Sequence, residues 1–578
     1  MKRLLIYLKD YRKESVLGPL FKLLEASFEL LVPLVMAAVI DRGIAEQDTG
    51  YVIRMCLVMV ALGLIGLVCS VTAQYFAARA AVGFATGVRR ALFSHIQGLS
   101  YTEIDTLGTS TMITRMTSDV NQAQSGVNMT LRLFLRSPFI VFGAMCMAFT
   151  INVRAALIFV VTIPLLSIVV FGIMMITMPL YKKVQAGLDG VLGVTRENLT
   201  GVRVLRAFNK EEEERERFSG KNESLTRMQV FAGRISALMN PLTYVMINGA
   251  VVALIWTGAI QVDGGIISQG QVVALVNYMS QILVELIKLA NLIITITKAL
   301  ACAGRIASVL ETESSMTAPE VWKGKAPSET GTVEFSDACL HYKNAGAESL
   351  SHVSFQVRRG ETIGVIGGTG SGKSSLVNLI PRFYDVSSGK ILVDGVDVRE
   401  YPTHALREKI GVVPQKSVLF KGTIRENLKW GKADATEEEL WEALELSQAK
   451  EFVEKKEQGL DTPLSQGGKN LSGGQRQRLT IARALVKKPE ILILDDSASA
   501  LDFATDASLR MAIRNMKERL TVFIVSQRTS SVRYADQILV LEDGEVAGIG
   551  THEELLRECS VYQEIYYSQF PKEVQANG

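Results

Sequence analysis

The sequence predicts two unlike parts: an all-α transmembrane domain of six helices with long cytoplasmic helical extensions, followed by an α/β domain. Long uncharged apolar runs alternate with basic segments in the first part, whereas short β-branched strands alternate with helices in the second. A length of 578 residues is also too great for a single domain. We therefore predict a transmembrane domain over 1–312, a linker over 313–330, the α/β domain over 331–570 and a tail over 571–578.

Apolar stretches of the first part are long enough to cross a membrane, which takes about 20 residues. The first stretch is unusual because it carries Lys22, Glu25 and Glu29. Their spacing places them on one helical face, which can turn toward other helices while the remainder meets lipid. The six predicted spans are approximately 15–40, 55–78, 133–153, 155–179, 237–262 and 271–297.

Basic residues give the orientation of these spans. Three short connections, at 41–51, 152–154 and 261–270, contain two arginines and no lysine, whereas the N-terminus, the long connections at 79–132 and 182–234 and the segment after residue 297 hold nearly all the Lys and Arg. The positive-inside rule then places the long connections and both termini in the cytoplasm. The long connections show helical periodicity, so we expect them to extend the spanning helices into the cytoplasm as rods.

Charge and cysteine content exclude some classes of function. A net charge of +3 is small for this length, so no nucleic-acid partner is expected. The six cysteines are scattered without a C-x-x-C pattern, so neither a disulfide framework nor a metal cluster is expected. The lipid bilayer is an expected partner. Because the N-terminus does not resemble a targeting segment, a bacterial plasma membrane is favoured.

Several polar residues lie inside the predicted spans, and two explanations for them remain open. They could line a polar or cation-accepting translocation pathway. Alternatively, they could form interhelical hydrogen bonds and a local ion pair between Glu285 and Lys288. The residues are Glu25, Glu29, Asn248, Asn277, Gln281, Glu285 and Lys288.

A glycine-rich motif opens the α/β domain. The segment ETIGVIGGTGSGKSSLVNLI predicts a strand, a loop and a helix, and Gly367–Ser374 within it fits G-x-x-x-x-G-K-[ST]. Such a loop closes backbone N–H groups around phosphate oxygens, while Lys373 reaches the β- and γ-phosphates and Ser374 ligates Mg²⁺. The predicted ATP-binding residues here are Gly367, Gly368, Thr369, Gly370, Ser371, Gly372, Lys373, Ser374 and Ser375.

A second motif, ILILDD, is an apolar strand that ends in Asp495. A carboxylate at this place typically holds Mg²⁺ in ATPases with a phosphate-binding loop. The two motifs together predict ATP and Mg²⁺ as cofactors. They do not distinguish a pump from a kinase or a helicase.

The segment LSGGQRQRL at 471–479 resembles the signature motif of ABC ATPases. The whole chain resembles an ABC exporter half-transporter, which implies a P-loop ABC ATPase domain. The resemblance implies that Tyr342 stacks on adenine, that Gln415 takes part in Mg²⁺ binding and catalysis, and that Ser499–Asp502 forms the D-loop. It also implies that the signature caps the ATP of a facing domain, through Ser472, Gly473, Gly474 and Gln475.

Two residues depart from the family pattern at the hydrolytic centre. The family places a catalytic Glu after Asp495, where this chain has Asp496, and a His where it has Gln527. Because the phosphate loop and signature are intact, the chain resembles the degenerate-site subunit of a heterodimeric exporter, whose partner half-transporter supplies the Glu and His. Neutral drift in a working enzyme is the alternative explanation.

These features predict ATP-driven export of amphipathic or hydrophobic small molecules, with multidrug export favoured because Met-rich apolar surfaces adapt to varied ligands. A slow homodimeric exporter of lipid or peptide and an ATP-gated channel or regulatory subunit are the alternatives. The turns around Tyr101–Thr109 and Asn198–Arg206 are candidate contacts between the rods and the ATPase domain. The segment near Gln415 is the expected receiver.

Overall fold

The computed structural model describes residues 4–317, 319, 332–343, 345–497, 500–516 and 520–570. Most of the predicted linker, the whole predicted tail and Ser499 of the predicted D-loop therefore lie outside the described residues. The chain divides into two compact units. The first comprises Met1–Gln97 and Ser110–Thr312, and the second comprises Gly98–Thr109 and Glu313–Gly578.

The first unit is entirely helical in its described residues, and the prediction of six spans is confirmed. The helical segments long and apolar enough to cross a membrane are Leu4–Ile44, Thr49–Gly98, Thr109–Ile151, Val153–Thr200, Glu211–Asp263 and Gln269–Leu310. The α-helices up to residue 310 are α1 (Arg12–Ala38), α2 (Thr49–Gly98), α3 (Tyr101–Leu107), α4 (Thr109–Thr114), α5 (Val120–Leu133), α6 (Arg136–Ile151), α7 (Val153–Thr200), α8 (Val202–Ala207), α9 (Glu211–Ala237), α10 (Met239–Asp263) and α11 (Gln269–Leu310).

The two longest helices of this unit greatly exceed the thickness of a membrane. Helix α2 has 50 residues and α7 has 48. At about 1.5 Å per residue each is about 70–75 Å long, more than twice the ~30 Å hydrocarbon core. The predicted cytoplasmic extensions are therefore present as continuous helix. On α2, Leu57, Leu64 and Leu67 are about 60% exposed, which suits a face that meets lipid.

Small residues bring the spanning helices together. Ala26 of α1, Ala144 and Ala148 of α6 and Ala274 of α11 are completely or almost completely buried in one apolar cluster. Small side chains let helix backbones approach closely, and dispersion contacts between them replace the hydrophobic effect, which is weak between helices in lipid. The Tyr278 hydroxyl adds a long-range bond, donating to the Leu30 carbonyl at 2.6 Å.

The second unit contains a six-stranded sheet in the order β12-β11-β3-β10-β9-β6, a four-stranded antiparallel sheet in the order β2-β1-β4-β5, and the short pair β7-β8. The strands are β1 (Val333–Leu340), β2 (Leu350–Val357), β3 (Thr362–Gly367), β4 (Ser388–Val393), β5 (Val396–Asp397), β6 (Ile410–Val413), β7 (Gly422–Thr423), β8 (Pro463–Leu464), β9 (Ile491–Asp495), β10 (Thr521–Val525), β11 (Gln537–Glu542) and β12 (Glu545–Gly550).

The helices of this unit cover the sheets and complete the predicted α/β architecture. Beside α3, they are α12 (Lys373–Leu379), α13 (Thr403–Lys409), α14 (Ile424–Lys429), α15 (Glu437–Leu446), α16 (Lys450–Glu454), α17 (Gly473–Val486), α18 (Phe503–Arg514), α19 (Thr529–Val532), α20 (His552–Glu558) and α21 (Ser560–Gln569).

Parallel pairing in the six-stranded sheet determines where functional groups gather. Strand β10 lies between β3 and β9 and pairs in parallel with both, so that Val525 is aligned with Val365 on one side and with Asp495 on the other. The carboxyl ends of these three strands therefore meet at one edge. In open parallel sheets, ligands bind outside the carboxyl ends of the strands.

Helix α3 belongs to the second unit. The Tyr101 ring lies 4.8 Å from the Phe383 ring, and the Tyr384 hydroxyl donates to Asp105 Oδ2 at 2.6 Å. The sequence suggested the neighbourhood of Gln415 as the receiver for this turn. The described side-chain contacts of α3 include the two aromatic residues that follow α12 and the Ser315 backbone N–H, which donates to Glu103 Oε2 at 3.3 Å. A contact with the segment near Gln415 stays a prediction.

Gly270, near the start of α11, gives a stability prediction. A Cβ atom there would lie 2.3 Å from the Ala37 carbonyl oxygen, so Gly270→Ala must push α11 away from α1 and should destabilise the protein by about 1–3 kcal/mol. Gly249 in α10 is a matched control, because a Cβ atom there meets nothing within 4 Å. Gly249→Ala should be neutral or stabilising by up to about 1 kcal/mol. Thermal unfolding of the two detergent-purified variants measures both effects, and equal melting midpoints would contradict the prediction.

Candidate functional site

A pocket of about 260 Å³ lies at the carboxyl ends of β3, β9 and β10. Residues from the glycine loop, the end of β9, the end of β10 and the Gln415 segment line it together. The lining residues are Ser349, Thr369, Gly370, Gly372, Lys373, Ser374, Ser375, Gln415, Asp495, Asp496, Val525, Ser526 and Gln527.

The loop after β3 needs its glycines for two different reasons. A Cβ atom on Gly367 would lie 2.2 Å from the Leu541 carbonyl oxygen, so only glycine fits between this loop and β11. Gly370 and Gly372 have φ angles of 88° and 91°, which L side chains rarely adopt. These constraints fold the loop back before α12 begins at Lys373.

Lys373 lies over the loop and points its charge into the pocket. Its ammonium donates to the Gly367 carbonyl at 3.0 Å and to the Gly368 carbonyl at 2.5 Å. Burial lowers the pKa of Lys373, and the carboxylates of Asp496 and Asp495 oppose that shift. Lys373 therefore places one cation beside two carboxylates. This arrangement suits a polyanion that binds together with a metal ion.

Ser374 and Asp495 form the pair expected to hold a divalent cation. The Ser374 hydroxyl donates to Asp495 Oδ1 at 3.0 Å. Burial raises the pKa of Asp495, and the neighbouring Asp496 raises it further, while the Ser374 hydrogen bond and Lys373 lower it. Both groups are hard oxygen donors of the kind Mg²⁺ prefers, and an ion that keeps several waters needs few protein ligands. The residues present therefore fit Mg²⁺.

The aromatic residue expected to stack on adenine is hydrogen-bonded to a residue at the start of α12. The Tyr342 hydroxyl donates to Ser375 Oγ at 3.0 Å, and burial raises the pKa of Tyr342. The Tyr384 ring meets the Tyr342 ring edge-on, at 5.0 Å and 90°. Because Tyr384 also bonds to Asp105, one tyrosine connects α3 with the Tyr342 ring.

Asp496 and Gln527 occupy the positions where the family resemblance implies Glu and His. The Asp496 backbone has a φ of 45°, a left-handed conformation, and its N–H donates to the Val525 carbonyl at 2.9 Å. Gln415 Nε2 donates to Asp496 Oδ2 at 3.3 Å. Gln527 is exposed, and its backbone carbonyl accepts a hydrogen bond from Gln569 Nε2 at 2.7 Å. Both residues line the same pocket as the glycine loop.

The signature residues do not join this pocket. Ser472 caps the N-terminus of α17: its hydroxyl accepts from the Gln475 backbone N–H at 3.3 Å, and its own N–H donates to the Gln475 side chain at 3.1 Å. Ser472 and Gly473 are exposed, and Gly474 is partly exposed. Within the described part of this chain, the four signature residues therefore lie on the surface and away from their own glycine loop.

Comparisons with known proteins agree with these features over the whole chain. Residues 15–286 match the family model of the ABC transporter transmembrane region, and residues 350–499 match that of the ABC transporter. An ABC transporter ATP-binding protein of Bacillus subtilis (strain 168) is 38% identical, with 99% of each chain covered.

The chain belongs to the ABC transporter family. Two further relatives are each 33% identical: a putative multidrug export ATP-binding/permease protein of Bacillus subtilis (strain 168), with 98% of this chain and 99% of the relative covered, and an ATP-dependent lipid A-core flippase of Desulfotalea psychrophila (strain LSv54 / DSM 12343), with 92% of each covered. A bacterial Atm1-family ABC exporter solved with ATP bound has the same fold, with a TM-score of 0.79 at 23% identity, covering 98% of this chain and 99% of that chain.

The resemblance predicted from the signature motif is thereby confirmed. This ABC transporter chain is an exporter-type half-transporter: a multi-pass membrane protein with a cytoplasmic, ATP-binding ATPase domain that works as part of a dimer.

Four residues of the site were not found from the sequence. Ser349, Val525 and Ser526 line the pocket, and Tyr384 supports Tyr342. Ser526 follows the apolar strand TVFIV directly, so the rule that located Asp495 could have located it. Ser349 and Tyr384 lie in irregular segments without periodicity, and only the folded chain brings them to the site.

Substitutions at Tyr342 test the adenine contact. Tyr342→Ala should weaken ATP binding about tenfold or more, because stacking of a base on an aromatic ring contributes about 1–3 kcal/mol. Tyr342→Phe keeps the ring and loses only the bond to Ser375, so its affinity should stay within a few-fold of wild type. Tyr534→Ala, at an exposed tyrosine outside the pocket, is the control. Titration with a fluorescent ATP analogue measures all three, and wild-type affinity of the alanine variant would rule out the contact.

Proposed function

We propose that this chain is the degenerate-site subunit of a heterodimeric ABC exporter that moves amphipathic or hydrophobic small molecules, most simply as a multidrug exporter. The proposal depends on one observation. Asp496 and Gln527 line the same pocket as an intact glycine loop, so the site combines what ATP binding needs with two substitutions at the hydrolytic positions.

Asp496 is poorly suited to orient an attacking water. Its side chain is one methylene shorter than Glu, which withdraws the carboxylate by roughly 1 Å, and misplacement on that scale can lower a rate about 10²-fold. One of its oxygens also accepts a hydrogen bond from Gln415. Gln527 can donate a hydrogen bond to a phosphate oxygen but cannot become cationic as His can. Both changes lower hydrolysis and leave binding possible.

The intact signature gives this chain its role in the second site. Ser472 and the glycine N–H groups after it are exposed, and the start of α17 adds a partial positive charge near them. In the proposed dimer they cap the ATP that the partner half-transporter binds. That partner supplies the catalytic Glu and His, and its own signature faces the slow site of this chain.

Mg²⁺ would be held by Ser374 and Asp495, with Gln415 nearby. When bound, the ion neutralises charge on the phosphates of ATP. Lys373 contributes a further positive charge, and the glycine loop contributes backbone N–H donors. ATP then holds the two ATPase domains together, and hydrolysis at the partner's site releases them. The rods formed by α2 and α7 carry this movement to the membrane.

The substrate class is supported by the spans and by relatives. The membrane unit contains many methionines and valines beside a few polar groups, which suits adaptable binding of amphipathic molecules. The multidrug export relative favours this substrate class. The lipid A-core flippase relative favours a second candidate, a homodimeric lipid exporter.

The division of labour predicts how ATPase activity responds to restoring the hydrolytic residues. Asp496→Glu with Gln527→His should raise hydrolysis at this chain's own site, by up to about 10²-fold relative to that site alone. The measurement is ATP turnover by the dimer purified through a tag on this chain. In that dimer the partner's catalytic Glu is replaced by Gln, so that only the site of this chain reports.

Lys373→Ala added to the double substitution is the matched control, because it removes a phosphate contact and should abolish the gain. Fast turnover by the unmodified chain purified without any partner would contradict the proposal and favour the homodimer. Unchanged turnover in the double variant would show that Asp496 and Gln527 do not limit the reaction.

A further inference from the structure

A cavity of about 450 Å³ lies within the membrane unit, between α1, α2 and α11. One side of it is apolar and is lined by Val32, Met36, Met59 and Val284. This volume is in the range that holds one small organic molecule. Methionine side chains are flexible and adapt to ligands of different shape.

Four charged side chains form an alternating chain beside this cavity, in the order Glu29, Arg136, Glu285, Lys288. Arg136 donates to Glu29 Oε2 at 2.6 Å and to Glu285 Oε1 at 2.6 Å. Lys288 donates to Glu285 Oε1 at 2.8 Å. Two positive and two negative groups cancel, so this chain of charges, which we call the charge ladder, is neutral as a whole.

Burial differs along the charge ladder. The side chains of its two inner members, Arg136 and Glu285, are only 7% and 3% exposed, whereas those of its two end members, Glu29 and Lys288, are 40% and 41% exposed. Both end members line the cavity. The inner members bond to each other, Ser137 donates to Glu285 Oε2 at 2.8 Å, and the buried Arg136 Nε has no hydrogen-bond partner among the described residues. Each end member has one ionic partner among the described residues and presents the rest of its charge to the cavity.

A second feature of the cavity wall points to a polar ligand. The side-chain oxygen of Gln281 is buried and has no hydrogen-bond partner among the described residues, and Gln281 lines the cavity. A buried acceptor without a donor raises the free energy of the folded state by about 1–3 kcal/mol. This acceptor makes the cavity wall beside the charged residues polar.

We infer that this cavity binds a zwitterionic amphiphile, with the cationic group on Glu29, the anionic group on Lys288 and the apolar body against Met36 and Met59. Such a ligand extends the charge ladder at both ends, because its cationic group lies next to Glu29 and its anionic group lies next to Lys288. A purely cationic amphiphile on Glu29 would leave the exposed charge of Lys288 without a ligand counter-charge, and a purely anionic one on Lys288 would leave Glu29 without one. In a low dielectric, a charge without a nearby counter-charge is disfavoured. The inference rests on the proposed export function and specifies its substrate class.

The test compares binding of probes with the same twelve-carbon tail. These are dodecylphosphocholine and dodecyl dimethylglycine betaine, both zwitterionic, dodecyltrimethylammonium, which is cationic, and dodecyl phosphate, which is anionic. Binding is measured below their micelle concentrations, without nucleotide, to the transporter purified in a maltoside detergent through a tag on this chain. The zwitterions should bind at least tenfold more tightly than either singly charged probe. Preference for phosphocholine over betaine indicates a lipid headgroup, and the reverse indicates a carboxylate zwitterion such as a peptide.

Removing one end of the charge ladder should change the charge preference. Glu29→Gln should weaken binding of the zwitterions and of the cation about tenfold and leave the anion unchanged or tighter. Lys288→Gln should weaken binding of the anion about tenfold and leave binding of the cation unchanged or tighter. Both variants keep the bond between Arg136 and Glu285, and a melting midpoint close to that of the wild type shows that the fold is retained. Glu25→Gln is the matched control, because Glu25 lies one turn from Glu29 on α1, pairs with Lys22 and does not line the cavity.

A wild-type preference for a singly charged probe would overturn the inference. So would equal losses for all four probes in Glu29→Gln and Lys288→Gln, since a merely structural role of the ladder gives that result. Because no nucleotide is present, these outcomes are independent of the Asp496 and Gln527 experiment. If the zwitterions are not preferred, the proposal that this chain is the degenerate-site subunit still stands. If that proposal fails, the expected preference for zwitterions still stands.

Discussion

The nucleotide site depends on one interaction, the parallel pairing of β10 with β3 on one side and β9 on the other. This pairing brings three strand ends to one edge, and each end delivers a different function. Strand β3 leads into the glycine loop, β9 ends in Asp495, and β10 leads into Ser526 and Gln527. A slip of one residue in either register would turn Asp495 to the opposite face of the sheet and away from Ser374. Binding of phosphate and metal is therefore a consequence of backbone hydrogen bonding several residues away.

The same geometry explains how a site can lose hydrolysis and keep binding. In the proposed site, Lys373, Ser374 and Asp495 contact phosphate and metal, whereas the proposed hydrolytic positions are the next residue after β9 and the second residue after β10. Changes at Asp496 and Gln527 leave the strands, the glycine loop and the Ser374–Asp495 bond in place. Gln415 joins the two sets, because it lines the pocket and donates to Asp496. Binding and hydrolysis are separable since they use neighbouring but different residues.

Much of this arrangement could be predicted from the sequence, because it depends on patterns of residues that are close together along the chain. Apolar runs of sufficient length predict the six spans, and short apolar strands that end in Gly or Asp predict the phosphate loop and Asp495. What the sequence does not reveal are partners distant along the chain. Arg136 looks like a basic residue at the end of a span, yet it is buried and bonds to Glu285, 149 positions later. Tyr384 follows a helix without any periodic signal, and only folding brings it between Asp105 and Tyr342.

Arg136 also shows why the polar residues of the spans should be treated as one system. The sequence left open whether Glu285 and Lys288 form a local pair or belong to a pathway, and in the structure they form the pair and also line a cavity of the membrane unit. A buried guanidinium inside the membrane needs a carboxylate partner, and Glu285 from α11 and Glu29 from α1 both bond to Arg136. Those two carboxylates fix three helices against one another. Because neutrality is reached within the ladder, its exposed ends are free to discriminate ligands by the arrangement of their charges instead of by their net charge.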